Sequence, residues 1–265
     1  MNPGKRTVGY RNFIVTVMAF IALSLITVSP CFSADSKSDL CSDIDVSTIS
    51  NIVKGPLLGV TIASKIRVQS LGLCQVILHV EGGNYITCYV SEDAVVLGRA
   101  FQDGRDLSED AMQKIRRSVY LEKKAELAEV VALKYEPAVK KSVLYMITDP
   151  LCPYCQQVGP DIKALADEYG VEINVILYSV HGKAGEADCI DVACSDIGYE
   201  DYLKTNWEEK TDKQECDAGQ DLIDKAKTLI SGMGIKGVPM FILDDGQSVA
   251  GGNIAGLKEA LENSL

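Results

Sequence analysis

The stretch Asp149-Pro150-Leu151-Cys152-Pro153-Tyr154-Cys155 holds the residues best suited to chemistry. It follows the apolar, β-compatible run Ser142 to Thr148 and opens a helical run, Tyr154 to Tyr169, that stops before Gly170. Two thiols spaced Cys-x-x-Cys at a strand-to-helix junction suit thiol-disulfide exchange. The first sulfur lies where unpaired backbone N–H groups and the helix dipole favour negative charge. Pro153 fits the first helical turn, where its missing N–H costs nothing. Cys152 is then the accessible nucleophile, and Cys155, one turn further, the resolving thiol. The same pair could instead be a static local bridge or half of a zinc site. Zinc needs two more ligands at suitable spacing; Cys189 and Cys194 are five apart, and there is no second Cys-x-x-Cys.

A second signal stands 84 residues after Cys155. Gly237-Val238-Pro239 directly precedes the strand candidate Met240 to Leu243. Proline cannot donate to a sheet ladder, so Pro239 marks a strand start or a tight turn, and a cis Val238-Pro239 bond is allowed there. Of the two histidines, His181 ends a strand and is either a solvated loop residue, the commoner case, or able to approach the cysteine pair, while His79 is expected to pack or to decorate a strand edge. Trp207-Glu208-Glu209 is expected to be a solvated face with Trp207 as local core.

The elements that must position these groups come from a chain of 265 residues, 47% hydrophobic and 24% charged, a globular composition long enough for one large domain or two ordinary ones. The formal charge of −11 excludes a broad basic footprint for nucleic acid. Residues 1–34 contain no acid and place Lys5, Arg6 and Arg11 ahead of the apolar run Phe13 to Val28, the layout of a secretory signal, with an uncleaved anchor as the alternative. Its removal takes away three bases and Cys31, bringing the charge to −14 and leaving eight cysteines. An even number in an oxidising compartment points first to disulfides.

Residues 35–106 are short apolar runs broken by turn residues, which suggests a small α+β domain. Gln75 to Val80 and Tyr85 to Val90 flank Glu81-Gly82-Gly83-Asn84, a hairpin signal; Ala94 to Leu97 could add a strand. If Gly82-Gly83 is a two-residue turn, Cys88 faces Ile77 and Cys74 points to the opposite face, so a Cys74–Cys88 bridge needs a bulge or Cys74 outside the strand. From Ser108 to about Leu133 there is no Gly or Pro. Ser108 can cap, and Met112, Ile115 and Val119 share one face of a helix that is either a connector or the surface helix of a larger domain. The remainder shows strand, helix, strand, irregular helical insert, strand, strand, helix, with a hairpin at Asp244-Asp245-Gly246 and Asn253 capping a final helix from Ile254 to Leu261.

With Thr148-Asp149, Cys152-Pro153-Tyr154-Cys155 and Val238-Pro239 in this order, the chain resembles the thioredoxin superfamily, and more closely the bacterial periplasmic disulfide isomerases of the DsbC/DsbG type. That resemblance implies an α+β N-terminal dimerisation domain (35–106), a linker helix (107–135) and an α/β thioredoxin-like catalytic domain (136–265) with a helical insertion at about 181–233. It implies catalytic Cys152 and Cys155, supported by Asp149, Pro153, Tyr154, Val238 and Pro239, and a structural disulfide between Cys194 and Cys216 that closes 22 residues. By the chain-entropy model this bridge contributes roughly 3 kcal/mol. Cys41 and Cys189 are left unassigned. It further implies a periplasmic homodimer acting on misoxidised or unfolded proteins, with no cofactor and no metal, kept reduced by a membrane thiol reductase of the DsbD type. The isomerases usually have Gly where this chain has Pro153 and Thr where it has Val238; both changes are met in oxidant or glutaredoxin-like relatives, leaving the direction of electron flow open. A net oxidant, a chaperone-like binding module and a cysteine-based copper binder are the alternatives.

Overall fold

The computed structural model describes residues 41–265; the export signal expected at 1–34 lies outside the described residues. Asp45 accepts the Thr48 N–H at 2.7 Å and starts helix α1, Val46–Val53. Strands β1 (Thr61–Val68), β2 (Leu73–Val80), β3 (Asn84–Val90) and β4 (Val95–Leu97) follow as an antiparallel sheet in that order. Alternation puts Cys74, Val76 and Leu78 of β2 and Cys88 and Val90 of β3 on one face, where they bury Cys41, Ile44 and Ile49.

Here the register differs from the expected one. The β2–β3 loop has three residues, not two: Val80 pairs with Asn84, and Cys88 pairs with Val76 instead of Ile77. Gly82 and Gly83 both take positive φ, which lets the loop close with Glu81 included. This one-residue shift brings Cys88 to the face of Cys74. They are still not bridged. Diagonal neighbours on adjacent strands sit about 7–8 Å apart, beyond disulfide reach, and Cys74 is bonded to Cys41 with a Cα–Cα distance of 5.3 Å. Cys88 remains a thiol, pushed up to about 11 by burial.

The two-residue strands β5 (Phe101–Gln102) and β6 (Arg105–Asp106) lead into α2, Leu107–Glu129. Its cap is Asp106, which accepts the N–H groups of Ser108 and Glu109 at 2.9 and 3.0 Å. The expected cap, Ser108, lies inside the helix and uses its hydroxyl on the Tyr89 hydroxyl and the Ala100 N–H. The helix also stops before Leu133. Leu133–Tyr135 is a strand, β7, which the helical pattern concealed.

Strand β8 (Ser142–Thr148), helix α3 (Pro153–Tyr169) and strand β9 (Val171–Leu177) come next. Three insert helices follow, α4 (Gly182–Cys194), α5 (Tyr199–Lys204) and α6 (Asp217–Gly232). Strands β10 (Met240–Leu243) and β11 (Ser248–Ala250) and helix α7 (Ile254–Ser264) complete the chain, with Asn253 capping α7 through the Gly256 N–H. The sheet order is β11-β10-β8-β9-β7, parallel only between β8 and β9. Every residue of β9 is buried, as expected for a central strand covered on both faces. Ile162, Leu165, Tyr199, Trp207 and Leu257 cover one face; Tyr120 and Leu127 of α2, with Ala226 and Ile230 of α6, cover the other. The linker helix therefore forms part of the core of the second sheet, and Arg117–Asp245 and Lys124–Asp244 ion pairs fasten it to the β10–β11 turn.

Candidate active site

Because β8 and β9 are parallel neighbours, the segments leaving their C-terminal ends must meet, a recurrent place for function in α/β sheets. Asp149, just past β8, is fully buried. Its carboxylate accepts the Leu151 N–H at 2.9 Å, the Val180 N–H at 2.7 Å and the His181 N–H at 3.2 Å. His181 Nδ1 lies 2.8 Å from the same carboxylate, so His181 is not the unattached loop residue the sequence suggests. Helix α4 passes over this carboxylate at Gly185, where a Cβ would stand 3.1 Å from both oxygens. Asp149 thus ties the loop before Cys152 to the loop after β9.

Cys152 is the N-cap of α3; its carbonyl accepts the Gln156 N–H at 3.1 Å, while Pro153 takes the first helical position. No side chain caps this end. The sulfur therefore lies at the N-terminal end of a 17-residue helix. Cys152 Sγ is 3.8 Å from the Val238 carbonyl oxygen, and the Val238–Pro239 peptide bond is cis. The expectation of an openly accessible first thiol is corrected. Cys152 is 4% exposed and Cys155 1%. Tyr154, between them, is 68% exposed.

Burial, the dominant effect, pushes the Cys155 thiol up to about 12, against the opposing pull of the Thr148 hydroxyl and the Asp149 N–H. Cys189 of α4 is a further buried thiol near the site; burial and then the Asp149 carboxylate raise it well above the ordinary range. Cys194 and Cys216 are disulfide-bonded with Cα atoms 5.8 Å apart, joining the end of α4 to the cap of α6. Among the described residues no cluster of three or more His, Cys, Asp or Glu could hold a metal ion, and no helix is long and apolar enough to cross a membrane.

The fold brings Cys152, Cys155, Asp149, Val238 and Pro239 to one place, and it adds the contacts of His181 and Gly185 with Asp149, which the sequence does not reveal. The available signal was the pairing of two parallel strands, whose exits must be adjacent.

A family model described as a thioredoxin-like domain matches residues 131–262. No curated protein matches the sequence. Among solved structures, the chain is similar to a linker-deletion mutant of Proteus mirabilis ScsC, at 16% identity and a TM-score of 0.45 over 59% of this chain and 85% of that one. It is similar to the thiol-disulfide exchange protein alpha-DsbA2 from Wolbachia pipientis, at 15% identity and a TM-score of 0.46 over 58% and 97%. Helicobacter pylori DsbG aligns at 17% identity and a TM-score of 0.37 over 75% of this chain and 98% of that one. Residues 131–262 of this chain, which carry the cysteine pair and the cis-proline, are a thioredoxin-like domain.

Proposed function

We propose that this protein is an exported thiol-disulfide oxidoreductase that isomerises or reduces non-native disulfides in misoxidised or unfolded proteins. The observation that carries the reading is a Cys-x-x-Cys thiol at a helix N-cap, facing the backbone before a cis-proline, with a second thiol held protonated one turn inside. The Cys152 thiolate attacks one sulfur of a substrate disulfide. The substrate S–S bond breaks, a Cys152–substrate bond forms, and the other substrate sulfur leaves as a thiolate. In isomerisation a different substrate thiolate attacks the substrate sulfur of this mixed disulfide; the Cys152–substrate bond breaks, a new substrate disulfide forms and Cys152 leaves as a thiolate, with no net electron transfer. In reduction Cys155 loses its proton and attacks Cys152; the substrate leaves as a dithiol, having taken two electrons from the cysteine pair, which is left as the Cys152–Cys155 disulfide.

Repeated reduction then needs a two-electron donor, for which a membrane thiol reductase of the DsbD type is the proposed partner. No diffusible cofactor or metal enters these steps. Asp149 is assigned the positioning of the loop that holds Cys152. Exposed Tyr154 is assigned contact with the substrate chain, and the sheet at 61–97 the pairing of two copies. Export to the periplasm is proposed from the 1–34 layout, and the two disulfides of the described residues suit an oxidising compartment.

The same residues run in reverse would make a net oxidant, a direction that Pro153 and Val238 leave open. Equilibrating the pair against glutathione, together with refolding of a scrambled disulfide protein, tests the choice. A couple as oxidising as that of a dedicated oxidase, about −120 mV, with no unscrambling, replaces isomerase by oxidant. Cys152→Ala is expected to abolish both activities. Full rescue of misoxidised substrate by that variant would transfer the function to a chaperone-like binding surface.

A further inference from the structure

Away from the cysteine pair, the end of the β2–β3 hairpin, the first half of α2 and the segment between α6 and Val238 border a cavity of about 280 Å³. It is far larger than a single water requires and close to the lower bound of small-molecule sites. Its walls combine two chemistries. Met112, Met233 and Met240 supply apolar, conformationally adaptable surface. Arg116, Lys236 and Tyr120 supply donors.

Three observations give the donor side a direction. In a chain with 37 acids against 26 bases, no lining residue is Asp or Glu. Lys236 is exposed and has no ion-pair partner among the described residues, while Arg116 gives only its Nη1 to Glu109 at 2.6 Å and keeps most of its donors unused. Tyr120 is 1% exposed, yet its hydroxyl has no hydrogen-bond partner. Such orphaned groups are uncommon and call for a missing partner. Asp244 and Asp245, whose charges bear on Tyr120, are paired with Lys124 and Arg117.

We propose that this cavity is a binding site for a small amphipathic anion, with an apolar body against the methionines and one carboxylate-like head toward Lys236 and Arg116. The site is independent of the redox reading, since none of its walls is one of the two cysteines. An apolar ligand alone would leave the donors unpaired, and a small inorganic anion would leave the methionine half unfilled.

Octanoate and its uncharged amide, octanamide, serve as probes in calorimetric titrations of the full chain at low salt. Saturable one-to-one binding of octanoate is expected, with octanamide weaker by about tenfold, the equivalent of one charge-assisted contact. Lys236→Gln, an exposed change, should cost octanoate about five- to tenfold and leave octanamide unchanged. Met112→Trp, which fills the cavity, should remove binding of both; should it fail to fold, Lys236→Gln decides. No saturable heat up to about 10 mM octanoate, equal affinity for acid and amide, or an unchanged octanoate affinity in Lys236→Gln would each overturn the proposal.

Discussion

Asp149 shows how much one buried side chain can control. One oxygen takes the Leu151 N–H, and the other takes the Val180 and His181 N–H groups and faces His181 Nδ1. An amide in its place has a single acceptor oxygen, so in either orientation an NH₂ would face backbone donors. Asp149→Asn is therefore not conservative here and should lower stability by about 1–3 kcal/mol. Denaturant unfolding of the reduced protein at pH 7 measures this, and a loss below about 0.5 kcal/mol would mean the carboxylate is dispensable. Cys155 gives a prediction in pH. Its folded-state value is raised to about 12, whereas the unfolded thiol ionises near the ordinary 9. Between these the folded state holds a proton that the unfolded state has lost, so the thiol's contribution is intact below pH 9 and falls as pH rises toward 12. The stability difference between the reduced protein and Cys155→Ala should shrink by about 1–2 kcal/mol from pH 8.5 to 10.5. A difference that stays flat would show that the sulfur ionises as freely in the folded chain as in the unfolded one. The two cysteines and the proline were legible in the sequence because spacing alone reveals them. Asp149's contacts with His181 were not, since they depend on which strands lie side by side.

Among elements, the β2–β3 hairpin is the clearest case of a sequence signal correct in kind and wrong in register. Two glycines announce a turn, but they do not state whether Glu81 belongs to the loop, and that single residue decides which face Cys88 takes. The α2 cap failed differently: Ser108 and Asp106 are both good caps, and Ser108 is withdrawn by a tertiary contact with Tyr89. The central elements, β8, α3, β9 and α7, were legible because long apolar runs and flanking turn residues fix them. The hairpin's glycines also have a role that sequence could not show. At Gly83, φ is 72°, and an added Cβ would overlap the backbone carbonyl of Gly232; at Gly234, φ is 75°, and a Cβ would overlap the Gly83 carbonyl. The hairpin tip thus meets the end of α6 backbone to backbone. Gly83→Ala must both strain its own φ and push that contact apart, and is expected to destabilise by about 1–3 kcal/mol. Gly72→Ala, at a similar φ but with no atom within 4 Å of the added carbon, isolates the strain. Equal losses in the two variants would show that the close approach contributes nothing.

At the scale of the whole molecule, the two described disulfides divide the labour between the two sheets, and their surroundings predict an order of opening. Cys41–Cys74 closes 33 residues and Cys194–Cys216 closes 22, which by chain entropy makes them alike, at about 3 to 4 kcal/mol each. Access separates them. Cys41 and Cys74 are both buried under the first sheet, alongside the Cys88 thiol, whereas Cys216 is exposed at the start of α6 and Cys194 is half-buried. A reductant reaches a disulfide by in-line attack on one sulfur, so the exposed Cys216 is open to attack in the folded state and Cys74 only after the first core separates. Opening the insert bridge removes the link between α4 and α6 but leaves the central strands covered, so the fold is expected to persist with α6 loosened at its start. Graded dithiothreitol treatment at pH 8, alkylation and mass mapping should therefore label Cys194 and Cys216 well before Cys41 and Cys74, and Cys88 should be labelled together with the latter pair. Labelling of Cys74 ahead of Cys216 would mean that the first sheet opens more readily than the insert, contrary to the burial of its three sulfurs.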